Sequence, residues 1–330
     1  MVDRWLGQME VIGPRRTAFG DVLLEPLEHG TDWAPDFELT VSSAKEWLLP
    51  QVETLYTYEI GSPTRVHEVQ DSTRRVLFGV RPCDVSAIGV LDALMTCGPG
   101  DPYYVWRRRN TACVSLACEE VFSGHFCHLL GTGPSLGGEF DWQLTRLGDG
   151  WAVEVASETG RSLLEGVRDL VSPASEADGR RVADRHQEAR ESGKAFANLE
   201  RVRSALRGRE LKEIVWDGLI SRCQGCGGCS FVCPTCACFT IVDVRVTAAS
   251  GERQRRWDSC VLRGFTAMAG GFNPGESGWT RSRRRLHHKL AENTGGQGHA
   301  ACVGCGRCVA ACMGNASLRD VLERIAAEAS

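Results

Sequence analysis

Apolar positions along this chain cluster first in short strand-like runs and later at helical spacing. The clearest run is Arg75-Val76-Leu77-Phe78-Gly79-Val80, an almost continuous apolar stretch of buried-strand length. It leads into Arg81-Pro82-Cys83-Asp84, where Asp84 is placed to cap a helix over 85–95. Val85, Ile88, Leu91 and Leu94 would share one face of that helix. Residues 111–117 read as a second buried strand, closing at Cys118. Before these, residues 11–27 carry short strands, 42–50 a short capped helix ended by Pro50, and 53–58 a further strand. Residues 140–145 and 151–156 flank Gly148-Asp149-Gly150 and predict a β-hairpin, followed by a helix over 159–170.

Beyond this point the rhythm changes. Residues 176–209 place leucine and valine every three or four positions among Ala, Arg, Glu and Asp, which predicts a long, partly exposed helix or helix pair. A second helix is expected over 212–220. Residues 243–257 read as a charged connection, and 257–260 as the start of a helix capped by Asp258 or Ser259. Asn273-Pro274-Gly275 is a turn, 281–289 a basic helical segment, and 317–327 a helix with Leu318, Val321, Leu322 and Ile325 on one face. The expected fold class is α+β: an N-terminal mixed α/β domain over 1–175, a helical connection over 176–221, and a mainly α-helical domain over 222–330, which the cysteine spacing described next makes a dicluster ferredoxin-like one.

Cysteine changes this picture most. The chain has 16 in 330 residues. Cys223-x2-Cys226-x2-Cys229-x3-Cys233-Pro234 has the ligand spacing of a two-cluster ferredoxin, and Cys302-x2-Cys305-x2-Cys308-x3-Cys312 repeats it. In such runs the fourth cysteine serves the other cluster. The spacing therefore assigns cluster one to Cys223, Cys226, Cys229 and Cys312, and cluster two to Cys302, Cys305, Cys308 and Cys233. Gly225, Gly227, Gly228, Gly304 and Gly306 would let the backbone approach the clusters. A disulfide framework and a pair of zinc knuckles are the competing readings; zinc sites do not need a third cysteine on the same pitch.

The formal net charge of −4 argues against nucleic acid as the main partner. No apolar run reaches membrane-spanning length, and the first residues do not resemble a signal peptide. The expected location is cytoplasmic, with no membrane association. Cys83 would sit at a helix N-terminus, where a thiolate is favoured, although a buried structural cysteine is the plainer reading. Cys118, His125 and Cys127 could complete a metal site with Cys83, but spacing alone does not bring them together. The basic residues of 281–289 read as a solvated face or as a docking surface for an anionic partner.

Seven motifs occur in order: Phe78-Gly-Val-Arg-Pro-Cys-Asp84, Asp101-Pro-Tyr-Tyr104, Gly131-Thr-Gly-Pro134, Arg222-Cys-Gln-Gly-Cys226, Cys233-Pro-Thr-Cys-Ala-Cys238, Trp257-Asp-Ser-Cys260 and Cys302-Val-Gly-Cys-Gly-Arg-Cys308. Together they resemble the iron–sulfur β subunit of cytosolic NiFe hydrogenases of the sulfhydrogenase type, a family that includes the A subunit of anaerobic sulfite reductase. The resemblance implies an electron-transfer subunit beside a flavoprotein diaphorase that binds FAD and NAD(P)H. It also implies a third [4Fe–4S] site on Cys83, Cys118, His125 and Cys127. The family usually has cysteine where this chain has His125, and an imidazole ligand would raise the potential. Met313 stands where ferredoxin motifs commonly have proline, without removing a ligand. Cys236, Cys238 and Cys260 match the family pattern without a ligand role, and Cys97 and Cys113 read as ordinary buried thiols.

No dinucleotide fingerprint, P-loop, zincin helix or haem attachment motif accompanies these cysteines. The expected function is a non-catalytic relay of single electrons between the diaphorase and a terminal enzyme, foremost a NiFe hydrogenase, with ferredoxin a further partner. Alternatives are a subunit of a sulfite or sulfur reductase, a site at His125 that itself reduces a small sulfur species, and an iron–sulfur redox sensor.

Overall fold

A computed structural model describes residues 1–148, 150–194, 198–208, 218, 221–291 and 301–328. Its strands are β1 (Glu10–Arg16), β2 (Val22–Pro26), β3 (Val52–Glu59), β4 (Arg65–Glu68), β5 (Arg75–Val80), β6 (Thr111–Leu116), β7 (Trp142–Leu147), β8 (Gly150–Val155), β9 (Phe239–Arg245) and β10 (Ser250–Trp257). Six form a mixed sheet in the order β2-β1-β5-β6-β7-β8. Its four inner strands run parallel, and β2 and β8 close the edges antiparallel. Val76 and Phe78 of β5 pack on one face with Trp5, Val114 and Trp142, while Leu77 packs on the other with Ile12, Ile88, Leu91 and Tyr104. A strand covered on both faces reads as an unbroken apolar run, which is why β5 and β6 were legible.

The helix after β5 spans Pro82–Met95 and starts earlier than expected. Pro82 occupies its first turn, where the missing N–H costs nothing, and Arg81 is the N-cap residue. Asp84 is therefore inside the helix rather than its cap. Val85, Ile88, Leu91 and Met95 are buried, whereas Leu94 faces solvent. Residues 176–208 hold two helices, Glu176–Glu191 and Leu199–Gly208, the first opened by a Ser175–Asp178 capping box. The expected helix over 212–220 lies, apart from Gly218, outside the described residues, as does Asp149 of the hairpin turn.

A second, antiparallel sheet has the order β4-β3-β10-β9. Here the expected charged connection over 243–257 is a β-hairpin instead. Its charges are cross-strand pairs: Arg253 Nε lies 2.8 Å from Asp243 Oδ1, and Thr54 Oγ1 donates to Glu252 Oε2 at 2.8 Å. β10 pairs with β3 from far upstream, with Arg255 opposite Glu53. Both side chains are buried, and Glu53 accepts from Arg255 and Arg107 while Arg255 also reaches Asp101. One sheet thus bridges the expected segments 1–175 and 222–330. The latter contains this hairpin beside the helices Gly228–Phe231, Gly278–Leu286, Arg307–Ala310 and Leu318–Glu328, so the α+β class holds but "mainly α-helical" is too narrow. No helix starts at 257–260; the chain turns there, with Ser259 Oγ accepting from Val261 N, before a 3₁₀ turn at Arg263–Thr266. Among the described residues no helix is long and apolar enough to cross a membrane.

Candidate metal centre

The two cysteine motifs adopt the same local form. Gly227 and Gly306 each take a left-handed φ, 77° and 76°, and each opens a one-turn helix, Gly228–Phe231 and Arg307–Ala310. Only glycine enters that region without strain. The two short helices pack together. Cys233 and Cys312 follow them, and each crosses toward the other motif. Cys233 Sγ lies 3.3 Å from Thr235 Oγ1, which donates to Ala301 O at 2.6 Å, beside Cys302. Burial pushes the Cys302 thiol up, and neighbouring Cys308, Cys233 and Cys305 push it the same way. On the other side, Gly314 lies so close to Arg222 O that a side chain would not fit, which sets Cys312 by the first motif. Backbone N–H groups point at sulfur from Gly304 to Cys302 at 3.4 Å and from Ala316 to Cys312 at 3.3 Å. Cys223 and Cys226 are exposed, whereas Cys305 and Cys308 are buried.

Three buried cations surround these thiols. Lys289, 1% exposed, donates from Nζ to Thr235 Oγ1 at 2.7 Å and Ala301 O at 3.2 Å. Lys45 donates to Cys236 O at 3.0 Å and lies 3.6 Å over the Trp257 ring. Arg285 donates to Cys229 O at 3.1 Å, and its Nε has no hydrogen-bond partner among the described residues. None of the three is ion-paired with a carboxylate among the described residues. Burial alone would lower the Lys289 pKa, but negative charge on the Cys233 and Cys236 sulfurs outweighs it and raises it. Uncompensated buried charge is expensive. A [4Fe–4S] cluster held by four thiolates is anionic, so the donor set and the cations fit such a group. Arg285 and Lys289 belong to the basic run over 281–289, so the expected docking face turns two of its cations inward. They lie four residues apart, the helical spacing that could have marked them as one face. The helix Gly278–Leu286 continues as a π turn over His287–Ala291, which carries Lys289.

The N-terminal candidates also converge. Cys83 follows β5 and Cys118 follows β6, at the same ends of adjacent parallel strands, where α/β sheets commonly bind ligands. Cys83, Cys118, His125 and Cys127 line one small cavity with Arg81, Phe122 and Pro134. Cys83 and Cys127 further pack against Cys305 and Val303 of the second motif. The contact is close because of glycine: a Cβ on Gly304 would lie 2.6 Å from Cys127 N, and one on Gly306 2.7 Å from His125 Cδ2. Burial, with Arg307 and Arg81 adding to it, holds the His125 pKa down to about 4, so its imidazole is neutral at pH 7. Burial likewise pushes Cys127 up to about 12 and raises Cys83 and Cys118. Among the described residues no three His, Cys, Asp or Glu groups converge on a single-ion position.

Sequence reasoning missed the bond that joins the two regions. Arg307, between Cys305 and Cys308, pairs bidentately with Asp84, beside Cys83, at 2.8 Å for both contacts. Arg307 also donates to Thr40 O at 3.1 Å and Thr40 Oγ1 at 2.8 Å. No local pattern announces a partner more than two hundred residues away. Cys236 hydrogen-bonds Cys233, and Cys238 hydrogen-bonds Cys260. Cys113 is buried as expected, whereas Cys97 is exposed.

A family model described as a 4Fe-4S dicluster domain matches residues 222–316. The chain is 32% identical over 292 residues to sulfhydrogenase 2 subunit beta of Pyrococcus furiosus, an overlap covering 88% of this chain and 84% of the relative. No solved structure matches it.

Proposed function

This chain belongs to the family of sulfhydrogenase beta subunits, and on that footing we propose that it relays single electrons within a hydrogenase complex. Cys223, Cys226, Cys229 and Cys312 would hold one [4Fe–4S] cluster, and Cys302, Cys305, Cys308 and Cys233 a second. Cys83, Cys118, Cys127 and His125 would hold a third. Bound clusters supply one-electron redox chemistry. The observation that carries the reading is the pair of buried cations Lys289 and Arg285, with Lys45 beside them, set around the thiols of the two motifs without an ion-paired carboxylate among the described residues.

The chain's own residues then have distinct tasks. Lys289 and Arg285 offset the negative charge of the thiolates, while the Gly304 and Ala316 N–H groups hold Cys302 and Cys312 in place. Arg307 and Asp84 keep the second motif against the His125–Cys127 loop, which orders the three sites as N-terminal, second motif, first motif. Exposed Cys223 and Cys226 put the last of these at the surface, where a partner subunit can approach. The partners we infer are a flavin- and NAD(P)H-binding diaphorase and a NiFe hydrogenase; similarity to a sulfhydrogenase subunit favours hydrogenase over sulfite reductase.

Iron and acid-labile sulfide, measured on anaerobically purified protein with reduced-state EPR, test this. The expectation is about twelve irons, falling to about eight in His125→Ala. About eight in both proteins would reduce the N-terminal thiols to a structural role.

A further inference from the structure

Cys238 and Cys260 take no part in either motif set or in the N-terminal cavity. Cys238 immediately precedes β9 and Cys260 follows β10, so they face each other at the open end of a hairpin in which Phe239 pairs with Trp257. The backbone closes that end: Asp258 N donates to Cys238 O at 2.9 Å. The thiol and the backbone N–H of Cys260 both lie beside Cys238 Sγ and interact with it. Cys238 is half-buried, and Cys260 is 7% exposed. Buried Cys113, by contrast, interacts with Arg108, Asp141 and Asp92 rather than with a second thiol.

We propose that Cys238 and Cys260 form a redox-active dithiol that exchanges with small-molecule disulfides, with Cys238 as nucleophile and Cys260 as resolving thiol. Three features support this division of labour. Cys238 is the more exposed residue of the two. The two contacts from Cys260 stabilise its thiolate, with Lys289 assisting, and hold its pKa down to about 6. The same contacts push Cys260 up, so it stays protonated until it is needed.

The chemistry balances without a further reagent. The Cys238 thiolate attacks one sulfur of a disulfide RSSR; a mixed disulfide forms as the old S–S bond breaks, and RS⁻ leaves. Cys260 gives its proton to that RS⁻ and attacks the Cys238 sulfur, expelling the second RS⁻. The dithiol becomes a disulfide, losing two electrons, and RSSR gains them to become RSH and RS⁻. This site does not rest on the relay reading, since its oxidant is the small disulfide.

The test uses the full, cluster-loaded chain in anaerobic glutathione buffers of rising disulfide fraction, quenched by acid and alkylated, with peptides read by mass spectrometry. The expected result is a Cys238–Cys260 linked species that grows with the disulfide fraction. Cys260→Ser should leave glutathione on Cys238 at a level about tenfold or more above exposed Cys97, since the resolving thiol is gone. Cys238→Ser should leave Cys260 unmodified. Iron content should be unchanged in both variants. Two results overturn the proposal: both thiols alkylated at every buffer composition in the wild type, or iron lost on either substitution, which would make these sulfurs ligands.

Discussion

Replacing Lys289 with methionine removes a buried positive charge while keeping an unbranched side chain of similar length. Lys289 Nζ lies 2.7 Å from Thr235 Oγ1, which is 3.3 Å from Cys233 Sγ, so the ammonium stands two contacts from a proposed ligand sulfur. Those two contacts put the ammonium no more than 6.0 Å from the Cys233 sulfur (2.7 Å plus 3.3 Å), and the centre of an electron added at the second-motif site, lying beyond that sulfur, is taken as about 8 Å from the charge. At an effective dielectric constant of about 20, the attraction is about 2 kcal/mol. For a one-electron couple this corresponds to about 90 mV. The sign follows from the charge: reduction adds negative charge, Lys289 stabilises it, and Lys289→Met should lower the midpoint potential. Potentiometric titration followed by EPR at several poised potentials measures this, with iron content as the check that the site is still loaded. A fall of less than about 20 mV with iron intact would imply an effective dielectric constant near that of water and would refute the claim that Lys289 acts as a buried counter-charge.

Two further outcomes follow from the geometry. Asp84→Ala strips the bidentate partner from Arg307, both residues being 2% exposed, and should destabilise the chain by about 3–5 kcal/mol, read as a loss in thermal unfolding temperature and of contact-dependent iron binding. Burial would raise the Asp71 pKa, but hydrogen bonds from Thr73 and Arg75 outweigh it and bring the carboxyl from 3.8 to about 2. A depressed carboxyl contributes stability that is present above its unfolded pKa and lost as pH falls through the folded one, so the stability gap between wild type and Asp71→Asn should be constant above about pH 5 and shrink between about pH 4 and 2. A gap that does not change with pH over that window would show that the Asp71 contacts are not coupled to its ionisation.

The strands β5 and β6, the hairpin of β7 and β8, and the final helix with its buried Leu318, Val321, Leu322 and Ile325 were all legible, because each is specified by a period within a few residues. The two motif loops were legible for the same reason: ligand spacing and the glycines at 227 and 306 are local properties. Where two local signals competed, the weaker one misled. Asp84 looked like a cap, but Pro82 begins the helix and frees Asp84 for Arg307. Charges over 243–257 looked like a linker, because the β3 partners of Glu252 and Arg255 lie some two hundred positions upstream.

By itself, then, the sequence determined two repeats of one cysteine spacing and those strands and helices that carry a local period, since both depend on repeats along the chain. Only the tertiary structure decided that β3 and β10 share a sheet, that Arg285 and Lys289 turn inward, that Cys83, Cys118, His125 and Cys127 line one cavity against Cys305, and that Cys238 meets Cys260. Each of these is a contact between residues far apart in the chain. Such contacts are selected by burial and charge compensation in the packed molecule, and these leave no period along the sequence from which to read them.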